Sequence, residues 1–188
     1  MKYIAVYCGA SAGNSKIYAN VARRLGTWLV QNRYGLVYGG GRVGLMGEIA
    51  KTVVDNKGYV WGIIPRFLAE RKLAFTEVTK LEEVADMSER KARMLHIADC
   101  CIALPGGPGT LEEITEAFSW ARLGKNASPC IFLNINGFYD PLKMMYQQMV
   151  GRGFLTEKDY KKLLFTENLD DINPFIENYS APQIRQYK

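Results

Sequence analysis

The sequence contains a single histidine, His96, and four cysteines, Cys8, Cys100, Cys101 and Cys130, with no CxxC pair among them. Neither residue type has metal-ligand spacing, so no metal and no other cofactor is expected. No secretory leader precedes the cysteines, which points to reduced thiols and a cytoplasmic protein. No apolar run approaches the roughly 20 residues of a membrane span, so membrane partners are not expected. Blocks of like charge are also missing. The 24 Lys and Arg exceed the 19 Asp and Glu by a spread-out +5. A nucleic-acid groove needs denser basic patches, so this excess reads as a bias toward small anionic ligands. Linkers, repeats and low-complexity segments are absent, and 188 residues suffice for one core. The expectation is one domain over residues 1–188, with a tail fraying from about residue 180.

What the chain does have is an alternation of strand-like and helix-like segments. Strand candidates are 2–8, 36–38, 59–64, 100–104 and 130–133, with a weaker one at 75–78. Between them, helical spacing runs through Ile17, Val21, Leu25, Trp28 and Leu29. Further helices are expected to about Asn56, over 88–97, over 111–123 and over 141–150, with short helices after Thr156. Near-continuous Val, Ile and Leu in the strands imply a parallel sheet covered on both faces. The fold class is therefore α/β: a Rossmann-like, doubly wound parallel sheet. Three glycine-bearing loops, 9–13, 39–47 and 105–109, follow strands, and in such sheets ligands sit beyond the strands' carboxyl ends. All three loops should share one rim.

The third loop carries most of the functional information. Pro105-Gly106-Gly107-Pro108-Gly109-Thr110 ends an apolar run, and Leu111-Glu112-Glu113-Ile114-Thr115-Glu116 opens a helix. Glycines let several backbone N–H groups face one point, and the helix adds its positive end, which together make an anion site. Glu113 has two readings. Thr110 and Glu113 are spaced as a capping box, which needs no ligand. Alternatively, three carboxylates beside an anion loop favour a cationic partner, either an arginine or a developing oxocarbenium ion. The candidate arginine lies in Asp86-Met87-Ser88-Glu89-Arg90-Lys91, where a second capping box, Asp86 to Glu89, precedes two cations that oppose the helix dipole.

Other patterns point to less. Gly39-x-Gly41-x-x-Gly44 matches GxGxxG but follows the second strand, and no acidic ribose partner ends the next one, so a nicotinamide cofactor is not expected. His96 reads as an ordinary helix residue, which leaves no cysteine–histidine nucleophile. Phe118, Trp120, Phe138 and Tyr139 read as core or subunit interface. Trp120 with Met144, Met145 and Met149 suggests a dimer surface.

Taken together, Gly39 to Gly47 as GGGxxGLMG, Met87 to Lys91 as MxERK, and Pro105 to Glu113 as PGGxGTxEE resemble the LOG (Lonely Guy) family of cytokinin riboside 5'-monophosphate phosphoribohydrolases. The resemblance runs from about Lys2 to Phe154 and takes in Trp120-Ala121-Arg122-Leu123-Gly124 and Asn136-Gly137-Phe138-Tyr139. It implies a Rossmann-like fold, a homodimer or larger homo-oligomer, and hydrolysis of a nucleoside 5'-monophosphate to free base and ribose 5-phosphate. By position, Arg90 and Glu113 match the family's catalytic pair. Substrate contacts are implied at Lys91, at Gly106, Gly107, Pro108, Gly109, Thr110, Leu111 and Glu112 in the loop, at Ser119 where relatives commonly have threonine, and at Glu70. The family loop commonly has tyrosine where this chain has Pro108, which stiffens the turn and bears on what stacks against the ligand. Members are often labelled lysine decarboxylases, but no residue here independently marks a pyridoxal-phosphate site. The competing class is a protein that binds or senses a nucleotide without hydrolysing it. Carboxylates set beside the phosphate loop, together with Arg90, are what simple binding does not need.

Overall fold

The computed structural model describes residues 1–184; the end of the tail expected to fray lies outside the described residues. Seven parallel strands form one sheet: β1 (Tyr3–Tyr7), β2 (Gly35–Tyr38), β3 (Val60–Pro65), β4 (Lys80–Val84), β5 (Cys100–Ala103), β6 (Cys130–Leu133) and β7 (Leu163–Thr166). Their order is β4-β3-β2-β1-β5-β6-β7, so the winding reverses between β1 and β5. That reversal opens a crevice where an α/β sheet binds its ligand.

The pleat divides the core. In β1, Ile4 and Val6 face one layer while Ala5 and Tyr7 face the other. On the first face lie α1 (Lys16–Gln31) and α2 (Gly44–Asp55), contributing Leu25, Leu29, Ile49 and Val53. Full burial of such a side chain is worth about 1.5–3 kcal/mol. On the second face lie α4 (Met87–Ile97), α5 (Pro108–Arg122) and α6 (Asp140–Gly151), contributing Met94, Ile114, Phe118 and Tyr146. The described residues also form short helices α3 (Arg66–Ala69), α7 (Glu157–Tyr160) and α8 (Ile172–Glu177).

Three expectations change. The segment 75–78 is not a strand. Phe75 N–H donates to the Gly40 carbonyl at 2.9 Å, and an antiparallel bridge joins Ala74 to Gly41, so the segment straps the second glycine loop. The strand instead is Lys80–Val84, a sheet edge whose Lys80, Glu82 and Glu83 discourage pairing with another chain. The tail after Thr156 holds not only short helices but also β7, anchored by Phe165 stacked on Phe132 at 4.5 Å.

Candidate active site

The three glycine loops do meet on one rim. Gly9 N–H donates to the Pro105 carbonyl at 3.2 Å, and Leu45 N–H donates to the Gly9 carbonyl at 3.0 Å. These approaches need bare backbone. Gly44 has φ +61°, and a Cβ there would lie 2.3 Å from the Ala10 carbonyl carbon. A Cβ on Gly106 would lie 2.2 Å from the Thr110 hydroxyl oxygen.

Beyond the third loop, α5 starts earlier than spacing suggested, and this removes the capping box. Gly107 is the N-cap with no side-chain cap, and Pro108 occupies the first helical turn. Proline has no N–H to lose there, so its ring sets the helix direction at little cost. The amides of Gly109 and Thr110 belong to the set that a helix start leaves unpaired, available to an anion. Glu113, now a full turn inside the helix, does not return to the Thr110 backbone.

It accepts from Arg90 instead. Arg90 Nη2 donates to Glu113 Oε1 at 2.5 Å, and both side chains are about nine-tenths buried. Helix α4 presents the arginine because Asp86 caps its N-terminus, accepting from Glu89 N–H at 2.9 Å, while Glu89 reaches back to Ala85 N–H at 2.7 Å. The second capping box therefore forms, with its return bond one residue earlier than the usual position. Arg90 Nε is buried with no partner among the described residues. Gly39 gives the guanidinium room: a Cβ there would stand 3.0 Å from Nη1.

Burial raises the Glu113 carboxyl above its ordinary 4.5, and repulsion from Glu112 adds to this, while Arg90 and Lys91 pull the other way. A carboxylate raised in this way is a better proton acceptor than an exposed one. The Cys8 thiol beside it is pushed up, first by burial and then by the Glu113 charge, so it stays neutral and is not a nucleophile.

The pair lines a cavity of about 250 Å³ together with Cys8, Gly39, Met46, Leu68, Met94, Gly107, Gly109 and Thr110. Of the expected residues, Arg90, Glu113, Gly107, Gly109 and Thr110 thus come together. Lys91 turns outward and bridges Glu112 at 2.7 Å and Glu116 at 3.0 Å, which raises its own pKa and ties α4 to α5. Gly106 borders a neighbouring cavity, and Pro108 opens the helix. Leu111, Ser119 and Glu70 are exposed and outside the cavity wall, Ser119 on the same helical stripe as Glu112 and Glu116. Leu68 and Met94, and Met46 beyond its place in the Gly39–Gly47 motif, carry no signal in the sequence because apolar residues at core spacing do not distinguish a cavity wall from a core. Among the aromatics, Phe118 and Tyr139 are core, while Trp120 and Phe138 are exposed. Among the described residues, no group of His, Cys, Asp and Glu could hold a metal ion, and no helix is long and apolar enough to cross a membrane.

Comparison with known proteins gives the family and the fold. A family model described as possible lysine decarboxylase matches residues 46–174. The probable cytokinin riboside 5'-monophosphate phosphoribohydrolase LOGL1 of Oryza sativa subsp. japonica is 44% identical over 152 residues, 81% of this chain and 68% of that protein. The cytokinin riboside 5'-monophosphate phosphoribohydrolase LOG7 of Arabidopsis thaliana is 39% identical over 178 residues, 95% and 82% of the two chains. Among solved structures, the X-ray structure of TM1055 superposes with a TM-score of 0.72 at 22% identity, covering 95% of this chain and all of that one. The molybdenum cofactor carrier protein of Chlamydomonas reinhardtii gives 0.74 at 16% identity, covering 94% and 99%. These structures share the fold. The chain belongs to the LOG family of cytokinin riboside 5'-monophosphate phosphoribohydrolases.

Proposed function

We propose that the protein hydrolyses the N-glycosidic bond of adenosine 5'-monophosphates, N6-modified ones included, to free base and ribose 5-phosphate. The observation that carries this reading is the buried Arg90–Glu113 pair, one helical turn inside an uncapped, glycine-rich helix start. The names of relatives about 40% identical point the same way.

The amides of Gly107, Gly109 and Thr110 hold the 5'-phosphate, and that anchor brings the ribose against Glu113. As the bond from C1' to the base nitrogen lengthens, the bonding pair leaves with the base and positive charge grows on C1' and the ring oxygen. The Glu113 carboxylate lies where it stabilises that charge. It also takes a proton from the attacking water as the new C–O bond forms; that proton then passes through solvent to the departed base nitrogen, which restores the carboxylate. Arg90 orients Glu113 through Nη2 and offers its unpaired Nε–H to the substrate. No metal or cofactor enters this scheme.

The reading includes one domain acting as a homodimer or larger oligomer in the cytoplasm. Exposed Trp120, Leu123, Met144 and Met145 supply an apolar contact surface for a second copy. The test is release of free base from adenosine monophosphate and from an N6-prenylated analogue. Glu113→Gln keeps an acceptor for Arg90 but loses the counter-charge; it is expected to lower kcat by about 10²–10⁴, with urea denaturation run alongside to separate this from lost stability. Tight nucleotide binding without base release by the wild-type protein would favour the nucleotide-sensing alternative.

A further inference from the structure

A cavity of about 530 Å³ lies at the opposite rim of the sheet from the Arg90–Glu113 site. Its wall takes in Tyr34, Tyr59 and Thr79, the residues that lead into β2, β3 and β4. The ends of α1 and α2 reach the same cavity and bring Arg33 and Lys57 to it. Neither cation is bridged to a carboxylate among the described residues.

The two helices end in the same Schellman motif. After α1, Arg33 N–H donates to the Val30 carbonyl at 3.0 Å and Tyr34 N–H to the Leu29 carbonyl at 2.9 Å. After α2, Lys57 N–H donates to Val54 and Gly58 N–H to Val53, both at 2.8 Å. This motif puts one residue in the left-handed region, and Arg33 and Lys57 both have φ +60°. Glycine suits that position best. Helices α5 and α6 close with the same bonds and do use it, at Gly124 (φ +70°) and Gly153 (φ +78°). The four-residue α3 ends near a third cation of positive φ, Lys72, outside this cavity wall. Compensating the helix dipole does not require the strain. A cation in the last turn would serve as well, and neither α1 nor α2 carries one there. What Arg33 and Lys57 add over glycine is two unbridged positive charges on the wall of one cavity.

The rest of that wall is largely apolar and held in place. Tyr34 stacks on Trp28 with centroids 5.5 Å apart and donates its hydroxyl to Asn173 Oδ1 at 3.0 Å. Tyr59 packs edge-to-face on Tyr3 at 5.8 Å, and Val30 and Val54 extend the apolar surface. One carboxylate, Glu77, stands against the two cations, so the lining is net positive. The volume falls in the range of small-molecule sites. Fixed aromatic faces suit a flat ring, and two cations suit a negative group attached to it.

We infer that this cavity binds a small aromatic anion, with Arg33 and Lys57 as its anion-binding residues. The site is separate from the hydrolytic one and does not depend on the proposed function. Aromatic carboxylates and aryl phosphates share the required chemistry, and the experiment distinguishes them.

The full chain, isotopically labelled for amide spectra, is titrated to about 10 mM with 2-naphthoate, with 2-naphthyl phosphate and with uncharged 2-naphthalenemethanol. Saturable shifts are expected at the Tyr34, Gly58 and Tyr59 amides, with a Kd of about 0.1–1 mM for the better anion and at least about 10-fold weaker binding of the alcohol. The tighter of the two anions identifies the ligand class. Arg33→Gly and Lys57→Gly are each expected to weaken binding about 5-fold or more, and together to abolish saturation, whereas Lys57→Arg retains it. Glycine relieves the left-handed backbone at both positions, so the Tm of the double variant should stay at or above that of wild type, and a lost signal is not lost folding. Shifts confined to the Gly107, Gly109 and Thr110 amides would put the ligand in the hydrolytic site and overturn the inference. So would saturation retained in the double variant, or an alcohol bound as tightly as the anions. Base release is a separate readout, and its absence would refute the proposed hydrolysis while leaving this site standing.

Discussion

Removing the arginine from the buried pair gives the sharpest test of the electrostatics. In Arg90→Met, the Glu113 carboxyl keeps its burial but loses both the 2.5 Å hydrogen bond and the guanidinium charge. Burial already raises this group above 4.5, and Arg90 is the main influence holding it down, so its pKa must rise further in the variant. Breaking one side of a buried ion pair costs about 3–5 kcal/mol when the remaining charge stays ionised. Total stability is about 5–15 kcal/mol, so the loss is large. Protonation of Glu113 relieves it. A carboxyl raised in the folded state contributes stability that is fully present below its unfolded pKa and is lost as pH rises through the folded value. The variant's deficit should therefore be small near pH 4.5 and grow toward neutrality. Urea denaturation of both proteins between pH 4.5 and 8 measures it. A deficit that stays constant across that range would mean that the pair is not coupled as the geometry implies. The wild-type rate profile gives an independent reading, because its acid limb should lie above 4.5.

The double variant Arg90→Met with Glu113→Leu separates the net worth of the pair from the cost of an orphaned charge. Replacing both charges with apolar groups of similar volume is expected to leave stability within about 1 kcal/mol of wild type, or to raise it, while abolishing base release. A double variant less stable than Arg90→Met alone would contradict this.

Three further outcomes follow from single positions. Gly39→Ala places a Cβ 3.0 Å from Arg90 Nη1 and 3.2 Å from Met46 Sδ, so the guanidinium shifts by a few tenths of an ångström; kcat should fall about 10-fold with little change in Tm, and unchanged kinetics would show that the arginine tolerates displacement. Gly44→Ala combines a left-handed backbone with a Cβ 2.3 Å from backbone, and should cost at least about 2 kcal/mol in urea denaturation. Lys91→Met removes the bridge to Glu112 and Glu116, both partly exposed, and should cost no more than about 1 kcal/mol. Because the partners raise the Lys91 pKa, that contribution is present below the unfolded value and fades as pH climbs past the folded one, so the difference from wild type should shrink in strong alkali.

Much of this architecture can be read from the chain because its signals are local. The central strands are short apolar runs, and β6 spans Cys130–Leu133 as expected from composition. The edges are harder, because a strand paired on one side needs little apolar surface. Lys80-Leu81-Glu82-Glu83-Val84 shows no such run, and Leu163–Thr166 follows a helical stretch closely. The site divides the same way. Glycine loops and the ERK and EE clusters announce themselves by residue type, but the partner of each charge depends on how α4 sits against α5. Sequence spacing leaves Glu113 between a capping box with Thr110 and an arginine partner, and the fold decides for the second by starting α5 at Pro108 and turning Glu113 to Arg90, 23 residues earlier in the chain. Leu68 and Cys8 join the cavity wall for reasons of tertiary packing that no local pattern carries.

The placement of cations in α4 ties stability to chemistry. Arg90 and Lys91 sit near a helix start, where the dipole disfavours positive charge. Asp86 and Glu89 offset part of that cost through the cap, and the rest is met across the helix pair: Arg90 by Glu113, Lys91 by Glu112 and Glu116. The two bridges differ in environment. Lys91 bonds to partly exposed carboxylates, where a salt bridge is worth little, so its consequence is mainly geometric: it holds the outer faces of α4 and α5 in register. Arg90 bonds inside the crevice, where water is scarce and an apolar pair would serve stability as well. A charge pair that folding does not require, set one turn inside an uncapped helix start, is what the proposed hydrolysis would use: on that reading the substrate develops positive charge at C1', which the Glu113 carboxylate stabilises.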